Sequence, residues 1–359
     1  MWVDVLITFI KTAYLIAGVL TLTLLLTWME RKQSAVMQDR LGANRASIFG
    51  IRAFGLLHIF SDPIKMIFKE DYIPPGGDKL LHTIAPFASL FFALMGFACI
   101  PIGNTIEIAG RQIDLQVLPL NVGLLYVFAM MSLGIYGVFL AGYSSNNKFA
   151  FLGGLRGSSQ MISYEITMGA TLIGLLIIFG TLDLQQIVRA QGELLWGWLP
   201  KWGVFLQPLG FLLFVTAGMA ETKRVPFDLP EGESEIVGYF VEYSSLKLGS
   251  FMMTDFVETI LIAALMATLF FGGWQIPYLQ SDGFHLPGGA FFAIPGLLIS
   301  ILQIAVFAMK VFFFCWFLLL IRWTLPRFRY DQLMQLGWKF MLPLSVLNIF
   351  VTAFVLLLI

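Results

Sequence analysis

Long apolar runs separated by short polar clusters recur along the whole chain. Eight of them reach or approach the roughly 20 residues that cross a hydrocarbon core: about 5–28, 82–103, 120–142, 161–181, 204–220, 251–275, 294–321 and 340–359. The pattern predicts an all-α polytopic membrane protein with about eight transmembrane helices, one integral membrane domain over 1–359. The first run is too long and too weakly basic at its start for a cleaved signal peptide, and reads as retained. The stretch 51–70 follows a different rule. His58, Ser61, Asp62, Lys65 and Lys69 recur at helical spacing, with Leu56, Phe60, Ile64, Ile67 and Phe68 on the opposite face. That predicts an amphipathic helix lying in the membrane interface, kinked or restarted at Asp62-Pro63. Two roles stay open for it: a surface anchor, or a wall of a lipid-facing opening with Asp62 turned inward.

Charge orders the loops. Of 22 Lys and Arg, 17 fall in the loops 29–80, 143–160, 221–250 and 322–339, four near the opposite ends of the spans, and Lys310 inside one. Positive residues collect on the cytoplasmic side, so both termini are expected outside. The loops 104–119, 182–203 and 276–293 then face outward and carry ordinary turn residues. Composition agrees with this class: 58% hydrophobic and 12% charged over 359 residues, with a mean hydropathy of +0.84. The net charge is zero, which gives no general attraction to nucleic acid. Two cysteines and three histidines, all scattered, lack the grouping of an iron–sulfur or zinc site. Neither an internal repeat nor an inverted pair is evident.

The unusual chemistry lies in 220–235, where five carboxylates and two cations fall within sixteen residues. Carboxylates at a bilayer edge are costly and tend to mark proton or ion routes. Pro230 suits the first position of a new helix, with acids stabilised near its N-terminus. On such a helix Glu231, Glu235 and Glu242 lie within about 40° of one another, Asp228 precedes them, and Glu233 points away. A row of that kind repels itself and shares protons; the bland alternative is a solvated acidic loop with capping roles. Glu165 is expected where the fourth span begins, and Glu221 where the fifth ends. Asp255 and Glu258, one turn apart at the start of the sixth, have two readings: they belong with these acids, or they face headgroups, and the second is the one expected. Lys310 is a candidate partner for one of these acids.

Several cationic clusters accompany the acids: Glu30-Arg31-Lys32 with Arg40-Leu41-Gly42, and the interleaved run from Arg322 to Lys339 (RWTLPRFRYDQLMQLGWK). Arginine forks pair with carboxylates and stack on rings. Together with Phe60-Ser61-Asp62 and Lys65, the stretch from Gly154 to Glu165 (GLRGSSQMISYE) and the acidic loop, these motifs resemble the H-subunit family of bacterial proton-pumping NADH:quinone oxidoreductase, respiratory complex I. The likeness runs over nearly the whole chain and in the same order.

That resemblance implies a subunit joining the membrane arm to the hydrophilic arm and forming much of a ubiquinone or menaquinone chamber. By matching motif, Arg31, Asp62, Arg224, Asp228 and Arg322 would line or support the chamber. Glu165, Glu221, Glu231, Glu233, Glu235 and Glu242 would belong to a proton relay toward the pumping subunits. The chain itself would hold no redox centre and no metal. FMN and iron–sulfur clusters would sit on partners: iron–sulfur and quinone-site subunits of the hydrophilic arm, small membrane subunits and antiporter-like subunits. The setting would be a bacterial inner membrane. One departure stands out: Glu235 and Glu242 are seven apart where the family pattern has eight, which on a helix turns the residues beyond by about 100°. Charging a quinone in a medium of low dielectric would then disturb the carboxylates. The matching subunit of an energy-converting hydrogenase, or of a ferredoxin- or deazaflavin-linked complex, is the nearest alternative; an independent ion transporter is the more distant one.

Overall fold

The structure, a computed structural model, describes residues 2–108, 111–195, 197–230, 232, 238–280, 283–285 and 291–358. Its helices are α1 (Trp2–Met37), α2 (His58–Phe68), α3 (Lys79–Met95), α4 (Gly123–Ser144), α5 (Lys148–Phe179), α6 (Leu184–Ala190), α7 (Gly203–Leu206), α8 (Pro208–Glu221), α9 (Ser245–Phe270), α10 (Gly296–Thr324), α11 (Tyr330–Gln335) and α12 (Leu342–Leu358). A π-helical turn, Leu336–Met341, fuses α11 to α12. Among the described residues, seven helical stretches are long and apolar enough to cross a membrane: α1, α3, α4, α5, α9, α10 and the fused Tyr330–Leu358. The eighth expected span is α8, which has 14 residues. At 1.5 Å per residue it reaches about 21 Å, short of a core of about 30 Å. Beyond Glu221 the chain is irregular, and Thr222, Lys223, Phe227, Asp228 and Leu229 are buried in protein. Burial of this kind is the condition under which non-helical backbone is tolerated in a membrane protein.

Three helices start earlier than the hydropathy pattern indicates. α5 begins at Lys148, where the Asn147 side chain accepts from Phe149 N at 2.9 Å, so most of the expected loop 143–160 is helix. The glycines and serines of 150–160 lower its apparent hydropathy, but they serve packing: a Cβ on Gly142 of α4 would lie 2.8 Å from Ala150 O. Small residues let two membrane helices approach closely. α9 begins at Ser245, ahead of the apolar run, and from Val257 to Phe270 every residue is buried. It is the central helix, packing on α1, α2, α3, α8 and α10. The last stretch begins at Tyr330 rather than 340.

The interfacial helix forms over α2 with Pro63 inside it. Phe60, Ile64, Ile67 and Phe68 are exposed, and so are Lys65 and Lys69, while His58, Ser61 and Asp62 are half-buried. The start of α9 is tied to it: Ser245 Oγ donates to Met66 O at 2.9 Å and Lys247 pairs with Asp71 at 2.9 Å. At the opposite end of the bundle lie three small antiparallel sheets, β1–β2 (Ile106–Ile108, Arg111–Ile113), β3–β4 (Leu194–Leu195, Leu199–Pro200) and β5–β6–β7 (Leu279–Gln280, Gly283–His285, Phe291–Ala293). Lys310 of α10 reaches that end. Its ammonium donates to the carbonyls of Phe271, Gly273 and Gln275, each at 2.8 Å, and sits 5.0 Å from the Trp202 ring. All three of its N–H bonds serve the turn that ends α9, and not one of the acids weighed as its partner.

Candidate functional site

At the α2 end, α1, α2, α9, the close of α10 and the segment after α8 surround a cavity of about 350 Å³. One part of its wall is apolar: Leu24, Met66, Leu246, Met252, Met253 and Phe256. The other is charged, and there the structure brings together Arg31, Asp62, Arg224, Asp228 and Arg322. Arg31 pairs with Asp62 across α1 and α2 at 2.6 Å. Asp62 therefore turns toward the cavity, while the exposed apolar face of its helix remains suited to a surface anchor.

Glu30 organises the remaining cations. One carboxylate oxygen takes Arg224 at 3.1 Å and the other takes Arg322 at 2.5 Å, while the Arg224 guanidinium lies 4.0 Å from the Phe256 ring centre. A single acid thus joins the ends of α1 and α10 to the 222–230 segment. Sequence reading placed Glu30 only within a cationic cluster. Its significance lies in its closeness to two separate arginine motifs, which spacing in one chain cannot reveal. Asp228 Oδ2 accepts from Arg327 at 3.0 Å, and its other oxygen is buried without a hydrogen-bond partner among the described residues. Burial raises the Asp228 carboxyl to about 6, with Arg327 and Arg322 holding it back.

A second set of charges adjoins the cavity. Asp255 lines it and pairs with Lys223 at 3.1 Å; Lys223 also pairs with Glu258 at 3.4 Å and lies 6.0 Å from the Tyr239 ring. The expectation that Asp255 and Glu258 face headgroups is therefore overturned. α9 starts at Ser245, so both acids sit two or more turns inside it and on its buried side. An ammonium that is 1% exposed needs such partners. Lys223 adopts a left-handed backbone, φ 53°, which costs a non-glycine residue about 1–2 kcal/mol and persists where its surroundings hold it.

Glu221, the last residue of α8, is fully buried, and neither carboxylate oxygen has a hydrogen-bond partner among the described residues. Its charged neighbours are Glu165, Glu258 and Lys223. Glu165 stands near the middle of the 32-residue α5 rather than at its start, because that helix begins earlier than its hydropathy indicates. It accepts a short hydrogen bond from Ser132 of α4. Asp255, Lys223 and Glu258 are joined by ion pairs beside the cavity wall, and Glu221 lies within electrostatic reach of Lys223, of Glu258 and of Glu165 at the α4–α5 seam.

Of the other expected relay residues, Glu231, Glu233 and Glu235 lie outside the described residues. Glu242 is not on a helix: Tyr239–Glu242 is a turn after Gly238, whose φ is +101°. The one-residue spacing departure therefore reaches Glu242 in irregular backbone, where helical rotation does not apply. Glu242 accepts from Asn147 at 2.8 Å and lines a separate hollow with Tyr72 and Ser145, apart from the cavity. Among the described residues, no group of three His, Cys, Asp or Glu side chains converges as metal ligands.

A family model described as NADH dehydrogenase matches residues 10–353. The chain is 41% identical over 348 residues to the NADH-quinone oxidoreductase H subunit numbered 1 of Cytophaga hutchinsonii, covering 96% of each. It is 42% identical over 358 residues to the NADH-quinone oxidoreductase H subunit of Flavobacterium psychrophilum, covering 97% of this chain and 98% of that one. The corresponding protein of Thermomicrobium roseum is 41% identical over 358 residues, 99% of this chain and 97% of its own.

Proposed function

Because the chain belongs to the NADH dehydrogenase family, in its H-subunit branch, we propose that the cavity at the α2 end takes the head of a membrane quinone and that the acids behind it couple the quinone's reduction to proton movement. The cavity has the two-sided chemistry such a molecule needs. Its Met, Leu and Phe wall suits an isoprenoid chain, and its arginines and Asp228 suit carbonyl oxygens that become hydroxyls. At about 350 Å³ it falls within the usual range of pockets for small molecules. Reduction of quinone to quinol takes up two electrons and two protons. The electrons come from iron–sulfur subunits docked at the α2 end, and the chain's own residues position the head and answer to its change in charge.

The observation that carries this reading is the double role of Asp255. It is part of the cavity wall and also the first member of the buried row Asp255–Lys223–Glu258–Glu221–Glu165. In a medium of low dielectric a change at the first member is felt several-fold more strongly at the next than it would be in water. Withdrawal of a proton or development of negative charge at the quinone shifts Lys223 between Asp255 and Glu258, which alters proton occupancy at Glu221 and Glu165. Glu231, Glu233 and Glu235 extend the acidic character of the same segment, and Glu242 serves the turn beside Asn147.

The α2 end, with its surplus of Lys and Arg, faces the cytoplasm and the hydrophilic arm, and both termini lie outside. Small membrane subunits and antiporter-like subunits adjoin the α4–α5 side. The test is Glu221→Gln and Glu165→Gln in the assembled complex. NADH-to-ferricyanide electron transfer stays at the wild-type rate while proton uptake driven by quinone reduction is lost. Full pumping in both variants overturns the assignment.

A further inference from the structure

Gln160 sits on α5, five residues before Glu165, and is wholly buried. Its amide nitrogen donates twice, to Ala220 O at 2.7 Å and to Phe227 O at 2.8 Å. Those two carbonyls bracket the stretch that holds Glu221, Lys223 and Arg224. One side chain therefore closes the two ends of a segment whose residues serve two different purposes: Arg224 at the cavity, Glu221 and Lys223 in the row behind it.

The bracketed backbone needs holding. It leaves α8, passes through the left-handed Lys223, and carries a buried ammonium and a guanidinium whose partners lie on α1 and α9. Each of the two carbonyls also accepts one local backbone N–H, Ala220 O from Lys223 at 3.3 Å and Phe227 O from Leu229 at 3.0 Å. Those bonds hold each end by itself, and the Gln160 amide ties the two ends to each other. The far side of the segment is also fastened. Phe328 N donates to Pro226 O at 3.1 Å, and Phe227 stacks on Phe328 at 5.5 Å between ring centres. Tyr164, one turn beyond Gln160 on α5, lies 5.9 Å from Phe227 and donates to Leu333 O at 2.9 Å. α5 thus carries two adjacent residues that grip the segment, and of these two only Gln160 reaches both of its ends.

We propose that Gln160 is a positioning residue for the coupling step: its two amide bonds keep Arg224 in register with Glu30 while keeping Lys223 between Asp255 and Glu258. The inference rests on the function proposed above and adds to it the part that fixes the cavity and the row relative to each other. Without the two donors, Ala220 O and Phe227 O separate, Lys223 relaxes toward an ordinary backbone conformation, and both sets of ion pairs lose alignment together.

The experiment uses the assembled complex in membranes with two variants. Gln160→Met keeps the length of the side chain and removes both donors. Gln160→Glu places a carboxyl between two carbonyl oxygens, where its protonated form keeps one O–H donor. Quinone reductase kinetics are measured with a short-chain quinone, protons are counted per electron, and NADH–ferricyanide activity reports the amount of intact complex. For Gln160→Met, kcat/KM for quinone falls about tenfold or more, with a raised KM and fewer protons per electron. For Gln160→Glu the loss is smaller at low pH and deepens as pH rises, because ionisation removes its one donor; an inert filler gives no such profile. Wild-type kcat/KM and proton ratio in Gln160→Met overturn the proposal, as does a flat pH profile in Gln160→Glu, which decides the matter should the Met variant fail to assemble. Full pumping in both Glu221→Gln and Glu165→Gln would instead overturn the proposed function and leave the clamp's effect on quinone KM standing.

Discussion

Single side chains carry most of what is unusual in this molecule, and they do so by sharing partners. Glu30 joins two arginines, Lys223 two acids, and Gln160 two carbonyls. Asp228 belongs to this group through Arg327, and its titration gives the sharpest prediction at this scale. With its carboxyl at about 6, Asp228 is ionised above that pH and holds Arg327 by charge; below it the acid is neutral and the pair weakens. Quinone reductase activity is therefore expected to fall as pH drops through about 6. Asp228→Asn, which imitates the neutral acid, should hold the low-pH rate at every pH, and an unchanged acid limb in that variant would contradict the role. Of the five residues on the charged wall of the cavity, Asp62 and Asp228 stand out in the sequence by spacing, while Arg31, Arg224 and Arg322 are singled out through resemblance, since nothing in their spacing places Arg31 beside Asp62 or Arg322 beside Glu30. Lys223 was hidden among cations counted for topology. Its partners Asp255 and Glu258 were misplaced because the polar start of α9, Ser245–Ser250, reads as loop.

At the scale of elements, hydropathy located the helices better than it located their ends. α4 and α10 fall within a few residues of their apolar runs. α5 begins 13 residues before the expected 161, because glycine and serine that serve close packing look like loop residues to a hydropathy scale. α8 is the reverse case: its run is apolar enough for a span but stops at Glu221, and the buried irregular segment after it has no signature that distinguishes it from an exposed loop. α9 is fastened at its far end by Lys310. Lys310→Met strands three carbonyls and removes three charge-assisted bonds, each worth about 1.5–3 kcal/mol, so the detergent-solubilised complex should melt several degrees lower. Complexes that remain intact should keep their quinone reductase rate, because the residue lies at the opposite end of α9 from the cavity. An unchanged melting temperature would show that those carbonyls find other donors.

At the scale of the molecule, polarity along the bundle axis is the organising feature: small sheets at one end, and cavity, amphipathic helix and paired charges at the other. The sequence anticipated this division through its Lys and Arg counts. The proposed orientation puts both termini outside, so alkaline phosphatase fused after Ile359 should be active and a fluorescent protein fused there should stay dark; the reverse pattern would invert the orientation. The amphipathic α2 has a consequence of its own. It forms part of the cavity wall through Asp62, Pro63 and Met66, yet four of its bulky side chains lie against whatever surrounds the protein. On the proposed function the cavity beside it is a doorway for quinone. The helix shares its seat between α9 and the headgroup layer, so the lateral pressure of a leaflet would help set the width of that doorway. The bilayer would thereby become a working part of that doorway, and its lipid composition a variable in how readily the proposed substrate slips through.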